Sequence, residues 1–176
     1  MYRSFIRNYS PIAGLIILGM FLLFCDFFTK AYVYHVFPFY NPCAGGSCLA
    51  VPVFNNFIGI DFLISLAVNK GAAWGVFAEF QVLLLVVRIC VIFGMFVYLF
   101  FINNSLRWSI PLIFIIAGAI GNVIDFFLYG FVVDFLYFNL WGYHFPIFNF
   151  ADICITIGVI YLILTTIFAS KKNKYA

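Results

Sequence analysis

The stretch SIPLIFIIAGAIGNVIDFFLY, residues 109–129, decides the fold class. It is apolar or small-residued throughout, except for Asn122 and Asp125 near its carboxyl end. Crossing the hydrocarbon core of a bilayer takes about 20 residues of helix. The stretch therefore predicts a membrane-spanning helix, with Ser109 as a possible N-cap and Gly130 as its stop.

Three further stretches have the same length and character, and they predict spans over 11–31, 80–102 and 150–169. For the first of these, Ser10 is the expected N-cap and Pro11 the first helical residue.

Of the 176 residues, 66% are hydrophobic and only 9% are charged. A soluble protein of this size could not bury so much apolar surface, which excludes a cytosolic enzyme. The same composition excludes a disordered chain and a basic nucleic-acid binder.

Charged residues are sorted along the chain in a way that predicts orientation. With the amino terminus in the cytoplasm, six basic residues flank the spans on the cytoplasmic side: Arg3, Arg7, Arg107, Lys171, Lys172 and Lys174. All six acids then lie in the outer half or outside: Asp26, Asp61, Glu79, Asp125, Asp134 and Asp152. We interpret the first span as a signal anchor rather than a cleaved leader, because three more spans follow it.

The segment 32–79 is the one large piece outside the predicted spans. Residues 57–68 are rich in β-branched and aromatic side chains and predict a strand, followed by a short helix near 72–80. The fold class is thus an all-α membrane protein of four helices, with a small outer β-sheet between helices one and two, in a single domain over 1–176. Cys43 and Cys48 flank Ala-Gly-Gly-Ser in this segment, and we predict a local disulfide, with two free thiols as the alternative.

Several ionisable side chains stand within the predicted spans. Asp26 and Lys30 are four residues apart, the spacing of a local helical ion pair worth about 0.3 kcal/mol. Arg88 lies inside span two, where it either snorkels outward or pairs with a carboxylate. Ionisable groups at this depth are costly enough to indicate function.

A second group of polar residues gathers near the outer ends of spans three and four. Gly118, Asn122 and Asp125 are four and three residues apart, so they share one helix face. Asp134 follows in the apolar run VVDFL, which indicates that the chain dips back to the interface after Gly130. The last span opens with two polar residues, Asn149 and Asp152. A purely structural interpretation makes Asn149 an N-cap and places Asp152 at N3, where a carboxylate suits the helix dipole.

If carboxylates are the reactive groups of such a site, few kinds of chemistry are open to it. The sequence has no HExxH motif, no CxxC pair and no glycine-rich phosphate loop. Two carboxylates at one site repel each other, so that one keeps its proton while the other ionises. The ionised group can take a proton from water while the protonated group polarises a scissile carbonyl, which is aspartic peptidase chemistry. This argument leaves open whether Asp125 or Asp134 pairs with Asp152.

Five motif blocks, taken in order, resemble those of bacterial lipoprotein signal peptidase (signal peptidase II). The blocks are DFFTK at 26–30, NKGAAW at 69–74, GAIGNVID at 118–125, VVDF at 132–135 and FNFAD at 148–152. The resemblance implies a membrane aspartic endopeptidase that removes the signal peptide of diacylglyceryl-modified prolipoproteins, cutting before the lipidated cysteine. It further implies prolipoprotein substrates, a membrane-lipid setting, and neither cofactor, metal nor nucleic acid.

The resemblance also assigns residues. It makes Asp134 and Asp152 the catalytic pair, and Asp26 and Lys30 structural. Support of the pair and substrate binding fall to Asn69, Asn122, Asp125, Asn149 and Gly118. One departure concerns substrate contacts, since the family usually has Arg after the aspartate of the third block and this chain has Phe126.

Two other classes of protein remain as alternatives at this point. A small polytopic transporter would line a path across the membrane with polar groups, whereas the inner half of these spans has almost none. A structural subunit of a membrane complex would need no cluster of acids.

Overall fold

The structure is a computed structural model that describes residues 2–37, 50–70, 78–103 and 105–174. Its helices are α1 (Tyr2–Val36), α2 (Gln81–Val97), α3 (Leu106–Tyr129) and α4 (Phe150–Lys174). A 3₁₀ turn (Ala78–Phe80) precedes α2, and a π-helical turn (Tyr98–Ile102) continues it. Cys43, Cys48 and most of the helix predicted near 72–80 lie outside the described residues.

The four predicted spans are confirmed as helices long and apolar enough to cross a membrane. They cover Ile12–Val36, Gln81–Ile102, Leu106–Tyr129 and Phe150–Phe168. Half of the most apolar part of α3 is buried, against 11% and 6% for the first two spans. Since α3 also contacts each of the other three helices, it is the central helix of the bundle.

Two predicted helix starts are wrong. α1 runs from Tyr2, so Ser10 and Pro11 lie within it, because losing one hydrogen bond at a proline does not end a helix this long. α3 starts at Leu106 with Ser105 at the N-cap in an extended conformation. Ser109 lies in the first turn, where its backbone N–H donates to the Ser105 carbonyl.

The predicted end of α3 is confirmed at Gly130. This residue has φ of 78° and its N–H donates to the carbonyl of Phe126, which closes the helix in the left-handed conformation that glycine adopts without strain. The chain then turns directly into a strand rather than leaving the helix bundle.

The predicted sheet is confirmed and is larger than the sequence indicated. It has four antiparallel strands in the order β1 (Ala50–Phe57), β2 (Ile60–Asn69), β3 (Val132–Leu140) and β4 (Tyr143–His144). The first two strands come from the segment between α1 and α2, and the last two from the connection between α3 and α4. The stretch after Gly130, predicted only to return to the interface, thus forms half of the sheet.

Pairing within the sheet brings three distant segments together. Asn69 at the end of β2 pairs with Val132, and Ala67 pairs with Asp134. On the other side of β3, the backbone of Phe148 bonds with Leu136 just before α4 begins. The end of β2, the start of β3 and the first turn of α4 therefore meet at one place.

Candidate active site

Lys30 is the centre of a buried ionic cluster where the carboxyl-terminal halves of α1 and α3 meet the start of α4. Its ammonium lies 2.8 Å from Asp26 Oδ2, 3.0 Å from Asp125 Oδ2 and 2.9 Å from Asn122 Oδ1. An ammonium has three N–H donors, and here each has an acceptor. The side chains of Lys30, Asp26 and Asp125 are all at most 3% exposed.

The same cluster ties the helices to the start of the sheet and of α4. Asp26 Oδ1 accepts the backbone N–H of Ala151 at 2.8 Å, and Asp125 Oδ2 accepts that of Val133 at 3.1 Å. The Asp26–Lys30 pair was predicted as a weak local ion pair, but it is buried and bridges α1, α3 and α4. Removing one partner is therefore expected to cost more than breaking an exposed pair, because it would leave a buried charge uncompensated.

Asn122 connects this cluster to a second pair of carboxylates. Its Oδ1 faces the ammonium of Lys30, which can only donate, so its Nδ2 points the other way and donates to Asp152 Oδ1 at 2.9 Å. The Asn122 Oδ1 also accepts from Asn149 Nδ2 at 3.1 Å. The orientation of this amide is thus determined by the lysine.

Asp134 lies on β3 and receives two amide donors. Asn69 Nδ2 donates to its Oδ2 at 2.9 Å and Asn149 Nδ2 to its Oδ1 at 2.6 Å. The side chain of Asn149 therefore binds Asp134, while its backbone N–H donates to Asp152 Oδ2 at 3.2 Å. One asparagine contacts both carboxylates and holds them at the same site.

The structural roles predicted for Asn149 and Asp152 are confirmed. Asn149 Oδ1 accepts the backbone N–H of Asp152 at 3.0 Å, and the Asp152 carboxylate accepts that of Asn149 in return. This reciprocal arrangement is a capping box at the start of α4. It leaves Asp152 near the positive end of the helix dipole, a favourable place for a negative charge.

Both Asp134 and Asp152 line a cavity of about 850 Å³ between the sheet, α2 and α4. Asn69 and Asn122 also line it, whereas Asp125 is not among its described wall residues. The remaining walls are largely apolar: Ala67, Val68, Val132, Phe145, Pro146, Ile147, Phe148, Ile153 and Ile157.

Burial raises the pKa of Asp134 to about 7, and the negative charge of Asp152 raises it further. The hydrogen bonds from Asn69 and Asn149 act in the opposite direction and lower the pKa, but their effect is smaller.

The structure thus divides the predicted site residues into two sets. Four of them line the cavity, namely Asp134, Asp152, Asn69 and Asn122, and the buried Asn149 lies behind them with hydrogen bonds to both aspartates. Asp125, predicted as a support, belongs with Asp26 and Lys30 instead. Gly118 lies where α3 meets α4, and a Cβ there would overlap the backbone oxygen of Ala151, so its small size allows close helix packing.

Sequence reasoning missed several residues of the cavity wall. Thr156 could have been found, because it follows Asp152 by four residues and so shares its helix face. His144 lines the cavity and bonds through Nδ1 with the hydroxyl of Tyr137. Arg88 also lines the cavity, and the sequence carried no signal of which way it faces. Among the described residues, no three His, Cys, Asp or Glu side chains are grouped as metal ligands.

Comparisons with known proteins agree on one family. The family model described as signal peptidase (SPase) II matches residues 18–168. Lipoprotein signal peptidases from Chlamydia trachomatis serovar D and Clostridium tetani are each 44% identical over 117 residues. The aligned part covers 65% of this chain and 70% and 72% of those proteins. Two solved bacterial membrane enzyme structures superpose with TM-scores of 0.76 and 0.69 at 29% and 31% identity. They cover 92% and 88% of this chain, and 92% and 93% of their own.

Proposed function

The chain belongs to the signal peptidase II family and is a membrane peptidase; we propose that it is an aspartic endopeptidase that cuts diacylglyceryl-modified prolipoproteins immediately before the lipidated cysteine. The proposed catalytic pair is Asp134 and Asp152. Membership of a peptidase family favours this function over that of a transporter or a structural subunit. The proposed peptidase domain is the whole chain, 1–176.

The observation that carries the proposal is the meeting of two carboxylates at one cavity. Asp134 and Asp152 both face it, and Asn149 contacts both. Amide N–H groups of Asn69, Asn122 and Asn149 donate to the two carboxylates. Two carboxylates held at one site by such donors can share one proton.

The proposed roles of the two carboxylates follow from their surroundings. Asp134, whose pKa is raised to about 7 by burial and by Asp152, carries the proton and donates it toward the scissile carbonyl oxygen. Asp152, at the dipole end of α4, takes a proton from the attacking water. Water oxygen bonds to the carbonyl carbon; Asp152 then gives the proton it took to the cysteine nitrogen as the C–N bond breaks, and the carbonyl hydroxyl returns its proton to Asp134.

The cavity suits a substrate anchored in lipid. Its walls combine a polar end, where the aspartates and asparagines lie, with apolar residues of α4 and of 145–148. The diacylglyceryl chains can remain in the bilayer while the peptide bond reaches the carboxylates at the interface. In this proposal Asn69, Asn122 and Asn149 orient the pair and contact the substrate backbone, while Asp26, Lys30 and Asp125 hold the helices in place.

We further propose that the protein resides in the bacterial cytoplasmic membrane with both termini cytoplasmic and the cavity at the outer face. The one-sided distribution of Lys and Arg supports this orientation. A reporter that is active only in the cytoplasm should be active when fused after Ala176. Activity of an exclusively extracytoplasmic reporter at the same position would contradict it.

The decisive experiment uses the purified full-length protein in lipid nanodiscs. We expect it to shorten a precursor peptide that carries S-diacylglyceryl cysteine and to leave the free-cysteine form largely uncut, with the product identified by mass spectrometry. Asp134→Asn protein, matched in folding by thermal unfolding, serves as the control for contaminating peptidases. Cleavage at another bond, or equal cleavage of both forms, would contradict the proposed specificity.

A further inference from the structure

One face of the sheet is apolar across all four strands at the end that lies farthest from Asp134. It carries a row of side chains that pair directly across neighbouring strands: Phe57, Ile60, Leu140 and Tyr143. Directly paired residues project to the same face of a sheet, and successive residues of a strand project to opposite faces. The next row along the strands therefore lies on the other face, and it is polar: Asp61, Asn139 and His144.

The two turns beside the apolar row expose large side chains on a strained backbone. Ile58 is 75% exposed and Trp141 is 73% exposed. Their φ angles are 54° and 50°, in the left-handed region that a β-branched or bulky residue rarely adopts. Strain and exposed apolar surface are both unfavourable in water, so their coincidence indicates a function. We call Phe57, Ile58, Trp141 and Tyr143 the sheet tip.

Polar groups at the sheet tip are hydrogen-bonded within the protein. The indole N–H of Trp141 donates to the Ile58 carbonyl at 3.0 Å, and its backbone N–H donates to the Gly59 carbonyl at 2.9 Å. The carboxylate of Asp61, just beyond the turn, accepts Asn139 Nδ2 at 2.9 Å. Groups that are paired in this way can leave water at low cost.

The charge of this part of the sheet indicates what kind of surface receives the sheet tip. Residues 50–60 and 135–145 contain no Lys, Arg, Asp or Glu. Such a surface has no basic group to attract anionic headgroups, and no charge to pair with a charged protein. Trp and Tyr, however, are enriched where a membrane meets water. These features favour a lipid interface without net charge.

The apolar face of the sheet is the one turned toward the membrane spans. Val132 and Asp134 line the cavity. Because side chains alternate along β3, Phe138 and Leu140 lie on the same face as these two residues. The cavity also reaches Ile157, which lies about 10 Å into α4. The face that leads from Asp134 to the sheet tip is therefore on the side of the bilayer.

We infer that the sheet tip inserts into the membrane interface beside the helix bundle, where uncharged or zwitterionic lipids receive its side chains. Leu140 at the end of β3 is separated from Asp134 by about 20 Å along the strand. The inserted tip thus anchors the far end of the strand that carries Asp134 and fixes its level relative to the lipid. The inference goes beyond the proposed function and does not depend on which carboxylates are catalytic.

The test measures lipid contact by tryptophan fluorescence of the full-length protein in phosphatidylcholine nanodiscs. Of the three Trp residues, Trp74 and Trp108 are changed to Phe, so that Trp141 is the only probe. Acyl chains brominated close to the headgroup should lower its emission about twofold relative to unbrominated lipid, because interfacial side chains reach the boundary between headgroups and acyl chains. Iodide in the aqueous phase should quench it only weakly.

A matched pair of variants tests which face is inserted. On the chain with all three Trp residues changed to Phe, Phe57→Trp places the probe on the apolar face and Leu63→Trp places it on the opposite face. Brominated lipid should quench Phe57→Trp about twofold and leave Leu63→Trp nearly unchanged. Thermal unfolding checks the folding of each variant, and Phe57→Trp replaces the first probe if the chain that keeps only Trp141 does not fold.

Strong quenching of Trp141 by iodide, without an effect of brominated lipid, would place the sheet tip in water and overturn the inference. Protection from both quenchers would also overturn it, because the tip would then be covered by protein, such as a second copy of this chain. Equal quenching of Phe57→Trp and Leu63→Trp by brominated lipid would contradict insertion by one face and would overturn it as well.

Discussion

Two pairs of aspartates lie close together in this protein and differ in their partners. Asp26 and Asp125 share the ammonium of Lys30, and all three side chains are sealed from solvent. Asp134 and Asp152 accept hydrogen bonds from amide N–H groups and line an open cavity. In the proposed mechanism, the first pair serves the structure, and the second pair keeps a proton that can be exchanged, which is what hydrolysis requires.

The largest expected effect comes from removing the exchangeable proton. Asp134→Asn and Asp152→Asn should each lower turnover of the lipidated precursor by about 10³-fold or more, because Asn keeps the size but cannot exchange the proton. The losses should not add in the double variant, since the pair acts as a unit. Steady-state cleavage rates, with folding checked by thermal unfolding, provide the measurement.

Asp125→Asn is the control for this comparison. If Asp125 belongs to the structural set, folded Asp125→Asn protein should retain part of its activity. Near-normal cleavage by Asp134→Asn, together with folded but inactive Asp125→Asn, would reassign the pair to Asp125 and Asp152. Substantial cleavage by Asp152→Asn would exclude both assignments.

Breaking the structural pair should affect stability. Lys30→Met leaves Asp26 and Asp125 buried without their cation, which is expected to cost about 3–5 kcal/mol of unfolding free energy. Unfolding in detergent with a chemical denaturant measures the loss. A change below about 1 kcal/mol would show that the cluster contributes no more than an exposed ion pair.

Close packing of α3 on α4 holds the two aspartate pairs in register. A Cβ at Gly118 would overlap the backbone of Ala151, the residue before Asp152, so Gly118→Ala should cost about 1–3 kcal/mol and reduce activity. Gly19→Ala is the matched control, because a Cβ there meets only Ile113 at an ordinary 3.5 Å. Equal effects of the two substitutions on the unfolding midpoint would contradict the packing role.

The raised pKa of Asp134 predicts a pH dependence of stability. Because the pKa is about 7 in the folded protein against an ordinary 3.8, the folded state holds this proton more tightly. The stability that it contributes is fully present below about pH 4 and is lost as the pH rises through 7. Asp134→Asn should therefore gain in unfolding midpoint relative to the unsubstituted protein between pH 5 and pH 8. A midpoint difference that does not change with pH would contradict the raised pKa.

The smallest effect is expected at Phe126, where the family usually has Arg. The ring is half-buried with its edge toward Phe127, and the described cavity wall does not include it. Phe126→Arg should fold, because the residue lies in the last turn of α3, and its main effect should appear as an altered preference among lipidated precursors. Loss of folding would mean that the ring packs against core or lipid.

Local features of the sequence were sufficient for much of this structure. Apolar length predicted the four spans, Gly130 the end of α3, and the Asn149–Asp152 spacing the N-cap of α4, because each depends on residues within a turn or a span of one another. The same logic misplaced the start of α3, where Ser105 and Ser109 are equally suitable caps and the chain uses the earlier one.

Long-range contacts decided the rest. Lys30 reaches Asn122 across 92 residues, and this contact makes a local ion pair the centre of three helices. Residues 132–140 became a strand because β2 pairs with them, and that pairing placed Asp134, rather than Asp125, beside Asn149 and the cavity. A sequence pattern shows how polar a residue is and which other residues lie on the same face of its helix or strand. Which cation or amide satisfies a buried carboxylate depends on the partner that the tertiary fold brings within about 3 Å.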